Sequence, residues 1–372
     1  MNTVFFRNTA ALKGICAVCM NTDESVIERI VLKSTDVEGD FCLDFDNARF
    51  DHLYFESEDG VKTGVAYPGT LSIGVEYKFN EDMGKELTYL FAKGIEKTGS
   101  VHSFVIRDEK NLAHRKDMSK KISVFLPEGY DGTTLYDILY FFDAQNLFGL
   151  AGEYTDCGDP YGGWQLDVAL AEISRQRGKN VIVVGIDNAD EYRSQELFMN
   201  PADFGELSPL ATAIPEDDFS RGYLDGLSSF MVGTLHPFIK ERYCVSEKNI
   251  GIGGSSMGGI AAFYCGLRER GFYRYVLSYS PAFGLYEMSA FENYFKKVDF
   301  HSNEGDLPKI HIYCGEGDML ERMLLSSARQ IKSTLLGYGY PEKKVFETYD
   351  VEKAHNEESW RLVLPQSLDI LI

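Results

Sequence analysis

The sequence predicts an α/β protein, a mostly parallel sheet with helices on both faces over residues 98–372, preceded by a small β-sandwich over residues 1–97. Three observations carry this. Residues before Lys97-Thr-Gly-Ser100 form short apolar runs broken by turn-formers, with no helical period. After that point near-continuous apolar strands alternate with helix-length amphipathic segments, the rhythm of a sheet covered on both faces. Finally, the short strand Ile250–Gly253 enters a glycine-rich turn that leads straight into an apolar helical segment.

In the N-terminal part the expected strands are Val4–Arg7, Gly14–Met20, Glu28–Lys33, Phe41–Phe45, His52–Glu56, Leu71–Phe79 and Leu87–Lys93. Turns such as Val37-Glu-Gly-Asp40 and Tyr67-Pro-Gly69 separate them, the spacing of a sandwich. Beyond residue 98, strands are expected at Lys121–Leu126, Tyr136–Phe142, Val181–Ile186, Ile250–Gly253, Tyr275–Ser280, Lys309–Cys314 and Val345–Tyr349. Helices are expected at Trp164–Arg175, Gly222–Tyr243, Met257–Arg268, Met319–Leu336 and Glu357–Ile372.

Composition narrows the function classes. Fifty-seven acidic against 37 basic residues give a net charge of −20 in 372 residues. Such a surface repels phosphate backbones and anionic lipid, so neither nucleic acid nor membrane is an expected partner. No apolar run approaches the ~20 residues of a membrane span, and Met1–Arg7 has no signal-peptide pattern, so a cytoplasmic location is expected. Homo-oligomerisation is left open. The seven cysteines, Cys16, Cys19, Cys42, Cys157, Cys244, Cys265 and Cys314, sit in apolar segments and read as reduced core thiols. Cys16 and Cys19 have no second pair to complete a zinc site, and no metal or organic cofactor is expected.

The chemistry is carried by Gly254-Ser255-Ser256-Met257-Gly258, a G-x-S-x-G sequence between a strand and a helix. The pattern has a steric origin: residues two before and two after the serine approach each other in a sharp turn, where only small side chains fit. The turn exposes the serine oxygen and places it at a helix N-terminus, whose N–H groups favour negative charge. A dinucleotide-binding reading would need Gly at 256, and a phosphate loop would need a following Lys; neither is present. The motif therefore predicts an α/β-hydrolase fold with Ser256 as nucleophile.

A serine hydroxyl needs a base, and in this fold the order is serine, acid, histidine. Three histidines follow Ser256. His301 precedes the acid-bearing strand and His311 lies inside a strand, whereas His355 lies in the loop between the last strand and the last helix, where the fold demands it. The acid is expected in Cys314-Gly-Glu-Gly-Asp318, with Asp318 chosen, Glu316 second and Asp350 third. Asp318-x-x-Glu321 also reads as a capping box opening the next helix. The oxyanion donors are expected to be the backbone N–H groups of Met257 and of Gln145, in the loop Asp143-Ala-Gln-Asn-Leu-Phe148, with Ala144 next in line. Trp164, Asn188 and Arg193 are candidate substrate contacts, Trp164 doubling as a core aromatic and Arg193 as a salt-bridge partner.

Residues from about 99 to 372 resemble the putative-esterase (esterase D-like) family, on Ile122-Ser-Val-Phe-Leu-Pro-Glu-Gly-Tyr130, Leu139–Phe148, Val181–Asn188, Gly253–Gly259, Ser280-Pro-Ala282 and Gly315-Glu-Gly-Asp318. The resemblance implies a carboxylic-ester hydrolase; the family includes feruloyl and acetyl-xylan esterases, enterochelin esterases and S-formylglutathione hydrolase. It favours Asp318 over Glu316, places His355 on the family histidine, and implies a carbohydrate-binding-like or immunoglobulin-like N-terminal module. Ala144 departs from the family, standing where it has Gly beside the proposed oxyanion donor. The expected reaction is acyl transfer to water through an acyl-serine on a small ester, such as an acylated carbohydrate. An enterochelin-type siderophore esterase is the alternative, and the acidic balance counts against its polyanionic substrate. A sugar- or partner-binding protein with a vestigial hydrolase core is the alternative from another class.

Overall fold

The computed structural model describes residues 2–22, 25–80, 85–92, 94–150, 161–188, 192–212, 219–298, 300–301, 303–350 and 352–372. Cys157 and the last residue of the expected strand Leu87–Lys93 lie outside them.

The N-terminal residues build two sheets from β1 (Asn2–Arg7), β2 (Cys16–Met20), β3 (Ile27–Val31), β4 (Lys33–Ser34), β5 (Asp40–Phe45), β6 (His52–Glu56), β7 (Gly74–Asn80) and β8 (Lys85–Phe91). One has the order β4-β5-β1-β7-β8 and the other β3-β2-β6. Alternation along β1 sends Val4 and Phe6 inward, and Phe6 stacks on Phe55 of β6 across the gap, ring centroids 4.3 Å apart.

The main sheet comprises β9 (Gly99–Arg107), β10 (Ser119–Pro127), β11 (Tyr136–Phe142), β12 (Val181–Ile186), β13 (Val245–Ser255), β14 (Tyr275–Tyr279), β15 (Lys309–Gly315) and β16 (Val345–Asp350). Its order is β16-β15-β14-β13-β11-β12-β10-β9. The strands from β12 to β16 run parallel through β11, while β10 runs antiparallel to β12 and β9 antiparallel to β10. This is the α/β-hydrolase architecture. The sequence reading missed β9 and started β13 five residues late, because β9 is a mostly exposed edge strand and Ser246–Asn249 is polar.

The longer helices are α1 (Leu166–Arg177), α2 (Leu224–Phe230), α3 (His236–Arg242), α4 (Met257–Arg268), α5 (Met288–Lys297), α6 (Met319–Gly337) and α7 (Glu357–Leu371). The expected long helix over 222–243 is two helices joined by the π-helical turn Met231–Leu235. Among the described residues no helix is long and apolar enough to cross a membrane.

Two apolar clusters flank the sheet. Ile138, Tyr140 and Phe142 of β11 face one, which takes in residues of α2 to α6. Leu139 and Phe141 face the other, which joins α1 and α7 to the N-terminal sheets in one core. Of the six described cysteines, all free, Cys19, Cys265 and Cys314 are buried. Burial pushes the Cys19 thiol up to about 12. Cys16, Cys42 and Cys244 are half-buried, a correction to the expectation of core thiols throughout.

Candidate active site

The parallel strands end along one edge of the sheet, and the candidate residues follow those ends. Asp143 comes after β11, Asn188 after β12, Ser256 after β13, Asp318 after β15 and His355 after β16. This edge is where open α/β sheets gather their ligands.

Ser256 sits between β13 and α4 with φ 55° and ψ −117°, outside the regions an L-residue prefers. Neighbouring hydrogen bonds hold it there: its N–H donates to the Tyr279 carbonyl at 2.8 Å, and its carbonyl accepts from Ala282 N–H at 3.0 Å and Gly259 N–H at 3.1 Å. The turn explains Gly254, and the neighbouring end of β11 explains Gly258. A Cβ on Gly254 would lie 2.6 Å from the Gly258 carbonyl oxygen, and one on Gly258 3.0 Å from Asp143 Oδ2. Met257 is the first residue of α4, so its N–H is one of the four that a helix start leaves unpaired.

His355 and Ser256 line one cavity of about 350 Å³, together with Asp143, Gln145, Asn146, Trp164, Asn188, Arg193, Glu357 and Trp360. Among the described residues no hydrogen bond joins the Ser256 hydroxyl to the imidazole; catalytic hydrogen bonds of this kind often tighten only once substrate is bound.

The carboxylate on the imidazole belongs to Glu321 and not to Asp318. Glu321 Oε1 lies 2.7 Å from His355 Nδ1, and Oε2 accepts from Gly315 N–H at 2.7 Å. Glu321 is fully buried in the first turn of α6, where the helix dipole favours its charge. Asp318 caps that helix: Oδ1 accepts from Glu321 N–H and Oδ2 from the backbone N–H of His355, each at 2.8 Å. Burial acts to raise the Asp318 carboxyl, but these backbone donors outweigh it and hold it below its ordinary value. The physical reason for the difference is reach. An aspartate at the cap turns back onto backbone N–H groups, whereas the glutamate one turn later points along the helix toward the ring. Glu316 is half-exposed and pairs with Arg329 at 3.5 Å. Asp350, on β16, accepts from Glu352 N–H at 3.1 Å. His311 is a core histidine, its Nε2 3.0 Å from Thr348 Oγ1, with burial holding it down at about 3.

Gln145 lies in the 3-10 turn Ala144–Asn146, entered through Asp143 at φ 57°. Ala144 itself keeps a negative φ, so the methyl in place of the family's glycine needs no left-handed backbone. That methyl is accommodated by Gly185, where a Cβ would come within 2.7 Å of it. The Gln145 side chain accepts from Asn188 N–H at 3.2 Å. Arg193 grips Asp143 through Nε at 2.7 Å and Nη2 at 3.0 Å, and its Nη1 lies 3.8 Å from Met257 Sδ. It thus braces the turn carrying Gln145 against the helix start carrying Met257. Trp164 is both cavity wall and core: it is 1% exposed, edge-on to Phe141 and Tyr279, and stacked on Trp360 at 5.5 Å. Trp360 meets the His355 ring edge-on at 5.1 Å and donates from Nε1 to Ser280 Oγ at 2.9 Å.

Sequence reasoning missed Glu321, Trp360, Asn146 and Glu357. Glu321 had a signal, as the partner in the capping pattern with Asp318; Trp360 and Glu357 follow from how α7 docks, and Asn146, in the turn after β11, meets that helix by donating from Nδ2 to Glu357 Oε1 at 2.9 Å.

Comparison with known proteins places this geometry in a family. Residues 114–369 match the family described as putative esterase. Among solved structures, the siderophore hydrolase EstA from Aspergillus nidulans is 15% identical, with 73% of this chain and 94% of that one covered at a TM-score of 0.53. The BES protein from Bacillus cereus is 14% identical, with 76% and 98% covered at a TM-score of 0.52. At such identities the likeness is one of fold. No curated protein sequence matches the chain.

Proposed function

This chain belongs to the putative-esterase family and is a carboxylic-ester hydrolase, and from that premise we propose that Ser256 is its nucleophile, His355 its base and Glu321 the acid that orients His355. The observation that carries the reading is the convergence, on one cavity, of a strained, outward serine and an imidazole already held by a buried carboxylate. Glu321 on Nδ1 fixes the tautomer that leaves Nε2 free to accept a proton. Ser256 Oγ then attacks the ester carbonyl carbon while its proton passes to Nε2. The carbonyl oxygen becomes an oxyanion facing the N–H groups of Met257 and Gln145. Collapse breaks the bond to the alcohol, which leaves with the imidazolium proton. Water, deprotonated by the same nitrogen, releases the acyl group from Ser256 and restores the enzyme.

The substrate we propose is a small neutral ester, an acylated carbohydrate in the first place. The cavity offers amide groups from Gln145, Asn146 and Asn188 for hydroxyls, and the tryptophan pair as an apolar wall. A polyanionic siderophore complex is disfavoured, because the cavity's arginine is already engaged with Asp143 and Glu357 stands on the same wall. A substrate panel tests this: acetylated xylo-oligosaccharides and feruloyl esters should be hydrolysed with higher kcat/KM than ferric enterobactin. The reverse order would overturn the substrate proposal without touching the serine mechanism.

A further inference from the structure

We propose that strand β8 of the N-terminal sheets acts as a positioning element for the tryptophan wall of the cavity; this rests on the reading of Ser256 and His355 as the reacting pair. The wall begins in the segment 161–165, which brings Trp164 to the site. In that segment Gly162 and Gly163, at φ 80° and 69°, take left-handed backbone without steric cost, whereas Gln165 at φ 50° does not. A left-handed residue other than glycine persists only where its surroundings fix it, and here they come from β8. A Cβ on Gly162 would lie 2.8 Å from the Tyr89 ring, so segment and ring are in direct contact. Leu90 N–H donates to Gln165 Oε1 at 3.1 Å.

The strongest link is Arg361, fully buried in α7 next to Trp360. Its Nε donates to the Thr88 carbonyl at 2.6 Å, and its Nη1 to the Gly163 carbonyl at 2.8 Å and to the Tyr161 carbonyl. Its guanidinium carbon stands 5.2 Å from the Tyr89 ring centroid. A buried guanidinium is costly unless its N–H fork is satisfied. Arg361 therefore fixes β8, the 161–163 backbone and α7 to one another. The next residue, Trp360, transmits that placement to Trp164 by stacking and to His355 by an edge contact. Among the described residues β8 contributes no side chain to the cavity, yet turnover depends on it.

The test uses the full chain. Trp164 and Trp360 are its only two tryptophans, so intrinsic emission reports on the wall itself. Tyr89→Ala removes the ring under Gly162 and Arg361, and Gln165→Leu removes the acceptor of Leu90 N–H. Each is expected to lower kcat at least about tenfold, as small misplacements of reacting groups do, and to shift the tryptophan emission, while unfolding remains cooperative. Tyr89→Phe keeps the ring and should restore both readouts. Wild-type kcat and emission in the folded variants would overturn the proposal, and either variant decides it if the other does not fold. Emission is read separately from hydrolysis, so retention of activity by Ser256→Ala would sink the nucleophile assignment and leave this test legible.

Discussion

At the residue scale, two carboxylates beside His355 have separable roles, and the chemistry of each fixes what its loss does. Glu321 touches the ring, so Glu321→Gln keeps the shape but lets the imidazole take the wrong tautomer. A loss in kcat of about 10³ to 10⁴ is expected, the scale seen when a triad acid becomes its amide. Asp318 touches only backbone N–H groups, one with each oxygen, so Asp318→Asn puts an amide NH2 against one of them and should cost about 1–3 kcal/mol of stability while leaving kcat within about tenfold. Steady-state kinetics and thermal unfolding on both variants check the ranking; the opposite order would return the acid role to Asp318. Ser256 and His355 were legible in the sequence because a G-x-S-x-G turn and the place of a histidine after the last strand are local patterns. Glu321 was legible only as a helix cap, since nothing local says whether a carboxylate three residues into a helix bends back to the cap or reaches across to another loop.

At the element scale, the strand-turn-helix from β13 to α4 is set by close backbone approach. With 2.6 Å available between a Cβ at 254 and the Gly258 oxygen, Gly254→Ala must open the turn. The expected cost is about 1–3 kcal/mol of stability, the range for an overpacked site, with a larger fractional loss in kcat than in folded protein, measured by unfolding curves and by kinetics on the same sample. The buried strands β11, β12 and β14 were readable because they are apolar on both faces. The edge strand β9 was not, since its residues are largely solvent-facing and its pairing with β10 is what makes it a strand. The start of α1 was misjudged by two residues for a related reason: Trp164 is apolar like a helix residue, but the left-handed Gln165 stops the helix from extending back to it.

At the scale of the whole molecule, distant segments are joined by buried charge as well as by apolar packing. Glu196, 1% exposed, lies 2.9 Å from His114 Nε2, accepts from Arg115 at 3.0 Å, and pairs with buried Lys120. Burial alone would raise its carboxyl, but the His114 hydrogen bond and the Lys120 charge hold it at about 2, against an ordinary 4.5. A depressed carboxyl contributes stability that is complete above its unfolded value and lost as pH falls through the folded one. The protein should therefore lose stability between pH 4.5 and about 2. Glu196→Gln, which takes the carboxylate from buried Lys120, should cost about 3–5 kcal/mol at neutral pH and flatten that acid limb; an unchanged pH profile in denaturant titrations would contradict it. The two N-terminal sheets were foreseeable from strand spacing. Their shared core with α1 and α7 was not, because groups 75 residues or more apart in sequence, such as Leu90 and Gln165, meet only after both parts have folded.

The mechanism requires that the oxygen acylated be that of Ser256. Intact mass and peptide mapping after reaction with a fluorophosphonate measure this directly. We expect one adduct per chain, on Ser256, with hydrolysis lost in proportion and no adduct on the Ser256→Ala variant. An adduct on Ser255 or elsewhere that extinguishes activity, or full hydrolysis by Ser256→Ala, would contradict the mechanism.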